Sequence, residues 1–140
     1  MSFKTIVVMG SGPFKEAVLS GVAYPGDLVM RTSAAVDTVA VHGTAKAAPT
    51  NGPMFLLEDD LQGKTIADAY ASGARVRFAV SQRGDEINVR IKAGETIAKN
   101  AALESSGDGT FKAFTDGVKV AMAREVSGGV GITRCIAEIL

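Results

Sequence analysis

The chain has 140 residues, 46% hydrophobic and 21% charged, and its fifteen basic and fifteen acidic residues cancel to a formal net charge of zero. That length suits one domain with a real core, and the charge balance offers nothing to bulk nucleic acid or an anionic membrane surface. The lone cysteine, Cys135, excludes an intrachain disulfide, and no run approaches the ~20 apolar residues of a membrane helix.

Residues 1–4 lead into a short apolar run without a cleavage site, so synthesis and retention in a cytoplasm, or in something assembled there, is expected. Residues 5–9 have strand character, and Gly10-Ser11-Gly12-Pro13 then interrupts the chain as a hinge. Residues 1–20 are therefore expected to form an arm that reaches a neighbouring subunit or a larger shell to which the chain binds, outside the barrel core. Ile6 and Val8 (or Val7) would fill shallow pockets, and Phe3 and Phe14 would be the aromatic anchors. The competing reading makes this segment the first strand of the main barrel.

Short strands are expected over 27–31 and 36–42, a turn-rich loop of small residues over 45–53, and an apolar run over 54–57. Residues 63–73 (GKTIADAYASG) carry Ile66, Ala69 and Tyr70 on one helical face and predict a helix of about two turns. Strands follow over 75–81, 86–92, 118–126 and 133–140, with turns between 94 and 113. Alternation sets Val76/Phe78/Val80, Ile87/Val89/Ile91 and Val118/Val120/Met122 inward, and Arg75, Arg77, Arg90 and Lys92 outward. The outward arginines offer either a solvated face or a contact for an acidic protein partner. The expected fold is all-β with one short helix: a compact β-barrel or β-sandwich-like domain over 21–140, with an extended N-terminal arm over 1–20.

Motifs for chemistry are weak. TIVVMGSGPFK suggests a dinucleotide strand and turn, but Lys15 stands where the third glycine belongs and Pro13 sits inside the turn. Glu58-Asp59-Asp60 could be paired carboxylates, yet neighbours on an extended chain point to opposite faces. An acidic corner, with Asp60 capping the short helix, fits better. Cys135 reads as a small buried hydrophobe, far in sequence from the only histidine, His42. Ile87/Val89/Gly94-Glu95/Ile97/Leu103 is similar to the run of a biotinyl or lipoyl carrier domain, but Asn100 replaces its second glycine and no D-K-A or M-K-M tip is present. The residues thus offer no catalytic, cofactor or metal set. Nor is there aromatic interleaving among the basic residues for nucleic-acid stacking.

The order of elements resembles the capsid decoration (cement) proteins of tailed bacteriophages. The likeness is carried by GVAYPGDLVM at 21–30, FLLEDDLQGKTIADAYASGARVRFAVSQRGDEINVRI at 55–91, KAGETIAKNAALESSGDGTFKAF at 92–114, and the closing VAMAREV and TRCIAEIL. It implies a non-enzymatic virion protein without cofactors, made in the bacterial cytoplasm, that binds the outer surface of an icosahedral shell and reinforces it. The implied partners are the major capsid protein and further copies of the chain, as a trimer. The contact candidates are Phe3, Ile6, Val8, Phe14, Arg75 and Arg77. One departure stands out: Asn100 occupies a place where such proteins often have glycine.

Overall fold

The computed structural model describes residues 5–10, 12–34, 36–49, 52–59 and 62–140. The fold is all-β. After β1 (Val7–Met9) come β2 (Phe14–Leu19), β3 (Leu28–Arg31), β4 (Thr38–Val41), β5 (Met54–Leu56) and β6 (Arg75–Val80). These five pair in the order β2-β4-β3-β5-β6 and close on themselves. The remaining strands are β7 (Glu86–Ile91), β8 (Thr96–Ile97), β9 (Ala102–Ser105), β10 (Phe111–Ala113), β11 (Ala121–Ala123), β12 (Ser127–Gly128) and β13 (Thr133–Ile139). Here the order is β7-β10-β9-β11-β13, and β13 pairs back onto β7, so this circuit is closed as well. β1 adds to β7, while β8 and β12 pair with each other. Closure removes the exposed edges that an open sheet would leave for aggregation.

Alternation explains the two cores. Ala17, Leu19, Val29, Val39, Met54, Leu56, Val76 and Phe78 fill the first barrel. The second core holds Ile87, Val89, Ile91, Leu103, Phe111, Ala121, Ala123 and Ala137, and it also takes Leu28, Phe55, Leu57 and Ala79 from the outer side of the first barrel. Met54-Phe55-Leu56 is buried throughout because one side of β5 faces the first barrel's interior and the other faces the seam. At that seam the Phe55 and Phe111 rings lie with centroids 6.0 Å apart.

Four expectations need correction. First, among the described residues there is no helix at 63–73. Tyr70 pairs with Ala23, and its hydroxyl donates to the Leu57 carbonyl at 2.7 Å, so tertiary bonds hold the segment in turns. A two-turn helix has too little cooperativity to resist them. Asp60, the expected cap, lies outside the described residues. Second, the register near 120 is shifted: Val120, Ala121 and Ala123 are buried, whereas Val118 is exposed and Met122 half-buried. The strand begins later than alternation suggested, and its small alanines are the inward residues. Third, the 1–20 segment is built into the fold from Ile6 onward. Ile6 is fully buried, β1 pairs with β7, and β2 closes the first barrel. Fourth, Arg90 does not face solvent; it enters a buried ion pair.

Candidate contact surface

The outer face of the β2–β6 pair is built by strand register. Glu16 lies opposite Arg77, and Val18 opposite Arg75, so all four side chains share one face. Phe14 extends it and is 59% exposed. Arg75 Nε donates to Glu16 at 3.4 Å, an exposed pair that contributes little to stability. Arg77 donates to the Glu58 carbonyl at 3.4 Å. Beside these residues is a shallow cleft of about 230 Å³ lined by Glu16, Asp59, Gln62, Tyr70, Arg75 and Arg77. The face presents guanidinium donors, two carboxylates and one exposed ring. That mixture suits the backbone and side chains of another protein.

The structure thus brings together Phe14, Arg75 and Arg77 of the expected contact set. Ile6 is elsewhere: its side chain is core, and its amide donates to the Glu58 carboxylate at 3.0 Å. Val8 is half-buried in β1. Phe3 lies outside the described residues.

A second polar assembly was not foreseen. Between the barrels, Arg90 donates to the Asp27 carboxylate at 2.8 Å and stacks 4.2 Å over the Tyr24 ring. Arg134 donates to the carbonyls of Pro25 at 2.8 Å and Ile66 at 2.6 Å. Burial pushes the Asp27 carboxyl above its ordinary value, although the Tyr24 amide and Arg90 oppose this. Burial and the neighbouring Arg90 charge bring Arg134 down to about 10. In sequence, Asp27 looks like the opening of a strand, Arg90 looks like a solvent-facing alternate, and Arg134 is one basic residue among several spread singly. Nothing local marks them as partners.

The candidates for reactive chemistry are occupied structurally. Cys135 is buried, and desolvation pushes its thiol up to about 11, away from the reactive thiolate. His42 is buried with Nδ1 2.9 Å from the Ser105 hydroxyl. The run likened to a carrier domain is distributed over β7, β8 and β9, where Ile87, Val89, Ile97 and Leu103 are core residues. No group of three or more His, Cys, Asp or Glu placed to hold a metal occurs among the described residues.

A solved structure shares this fold. It is the N base of the head fiber protein gp8.5 of bacteriophage phi29, at a TM-score of 0.62, 12% identity, and coverage of 93% of this chain and 98% of that chain. The match spans both barrels, and at this identity the likeness is one of fold. No family model matches the chain, and no curated protein matches it.

Proposed function

We propose that the chain is a structural protein of a tailed-phage head, seated on the outer surface of the shell and reinforcing it against internal genome pressure. The observation that carries this reading is the near end-to-end fold likeness to a phage head fiber base. The sequence resemblance to decoration proteins points the same way. Physical chemistry is compatible with the role. A shell offers many equivalent sites, so shallow contacts of modest strength suffice when an oligomer engages several at once. The partners are the major capsid protein and further copies of this chain, as a trimer, and the activity is mechanical.

The test is reconstitution. Purified chain is added to phage shells that lack it, and the particles are imaged and heated. The expected result is ordered density on the outer surface and a higher temperature of genome release. Folded protein that leaves shells bare at micromolar concentration, or decorates them without changing that temperature, would overturn the proposal.

A further inference from the structure

The two barrels correspond residue by residue. Both contain a parallel pair, Leu19↔Val39 in one and Ile91↔Phe111 in the other. From that anchor every ladder agrees. Arg31↔Val39 corresponds to Ser105↔Phe111, and Val29↔Met54 to Leu103↔Ala121. Leu56↔Phe78 corresponds to Ala123↔Ala137, and Val18↔Arg75 to Arg90↔Arg134. The isolated bridge Ala23↔Tyr70 matches Ile97↔Ser127. Gly26 (φ 89) and Asn100 (φ 68) then occupy the same left-handed place before the second strand of each unit. The chain is one barrel design used twice.

Equivalent units have equivalent faces. On the second barrel the outer β7–β13 face is covered by the first barrel's turn at 24–27, through Arg90 to Asp27 and Arg134 to the Pro25 carbonyl. Its counterpart on the first barrel is the β2–β6 face. There Val18 stands in place of Arg90 and Arg75 in place of Arg134, and the Arg75 side chain is 71% exposed. The counterpart of the covering turn is 98–101, Ala98-Lys99-Asn100-Ala101, exposed at 98–100. The substitutions match across the pair. Where the inner contact sets Arg90 against Asp27 and Tyr24, the outer one offers Val18 to Ala101 and Ala98. Where Arg134 takes the carbonyl of Pro25, Arg75 is placed for that of Lys99. The cleft beside Arg75 carries Glu16 and Asp59, opposite in sign to the Lys99 ammonium.

We propose that a second copy of this chain docks its 98–101 turn on the β2–β6 face, repeating between molecules the contact that joins the barrels within one. Such a contact is head-to-tail, closing into a ring if its rotation permits and otherwise running on as a filament. It is also smaller than the inner one. The connection from β5 to β6, which supplies the Ile66 carbonyl, is much longer than that from β11 to β13. Self-association therefore requires high concentration or a surface that gathers copies. The proposal needs no shell; it assigns residues to the self-association named in the proposed function, while shell binding is tested separately by reconstitution.

The test uses two full-length variants, Val18→Cys and Ala98→Cys, purified separately and treated with a short bis-maleimide; native Cys135 is fully buried and does not compete. A cross-linked dimer in the mixture, but in neither variant alone, is expected. No product in the mixture, or Val18→Cys linking to itself equally well, would overturn the proposal. Independently, Arg75→Glu is expected to weaken self-association measured by light scattering about tenfold or more, the scale of one charge-assisted hydrogen bond, with thermal stability unchanged. Self-association unaffected by Arg75→Glu, or a wild-type chain that stays at 14.4 kDa at high concentration, would equally overturn it.

Discussion

Asn100 shows how a single residue carries a turn. Its φ of 68 lies in the left-handed region, and its amide donates to the Ala123 carbonyl at 2.7 Å. Among residues with a Cβ, asparagine tolerates this conformation best, so it can stand where glycine would serve. Asn100→Gly is expected to change stability by less than about 0.5 kcal/mol. Asn100→Val should cost about 1–2 kcal/mol in urea unfolding, because a β-branched residue is strained there. His42 yields a pH dependence. Burial lowers its pKa below the ordinary 6.5, so the unfolded chain binds the proton more readily than the folded one. Stability is then at full value above about 6.5 and falls as pH drops through that value toward the depressed folded one. Urea midpoints at pH 7 and pH 5 should separate in wild type by more than in His42→Gln. Equal separations would show that the acid response originates elsewhere.

The elements most legible in the sequence were strands whose apolar residues alternate with polar ones. Ile87, Val89 and Ile91 alternate with polar residues, and all three are buried. Legibility failed where tertiary contacts outweighed local pattern. Ile66, Ala69 and Tyr70 have helical spacing, but Tyr70 is held in a bridge to Ala23. The candidate face was partly legible as a surface, since Arg75 and Arg77 are outward strand positions beside Phe14. The covered β7–β13 face has the same outward pattern, and only the fold distinguishes the two. The turn at 24–27 lies so close to that face that a Cβ on Gly26 would sit 2.6 Å from Arg134 Nη1 and 2.7 Å from the Asn88 carbonyl oxygen. Gly26 also has φ 89. Gly26→Ala should therefore lose about 2–4 kcal/mol, combining left-handed strain with a clash against backbone. Gly84→Ala is the control. Its φ is 93 but nothing lies within 4 Å of the added carbon, so about 1 kcal/mol is expected. Equal losses at both sites would mean that the seam yields easily.

At the scale of the whole molecule, the repeated barrel register has little counterpart in the sequence. Across positions that lie in a strand of both barrels only Arg75 and Arg134 are the same residue; interior pairs such as Phe78 and Ala137 keep their apolar character but not their size. Each barrel is packed around its own large residues, so the register is shared while the side chains differ. The second of the two cores nonetheless spans both barrels. Leu28, Phe55, Leu57 and Ala79 belong to strands or flanks of the first barrel, yet they pack with Ile87, Val89 and Phe111 of the second. Separating the barrels would expose these apolar side chains to water, and rehydration of Asp27, Arg90 and Arg134 would not offset that loss. Neither barrel is therefore expected to fold alone. The turn at 81–85 joins them and is exposed at 82–84, so it is the natural place to divide the chain. Fragments 1–83 and 84–140, expressed separately, should show no cooperative thermal transition and should bind a dye that reports exposed apolar surface. Co-expressed, they should associate and recover one transition, shared by near- and far-UV circular dichroism. Two transitions in the intact chain, or a fragment that melts cooperatively by itself, would mean that the seam is a docking contact between independent domains and not part of a common core.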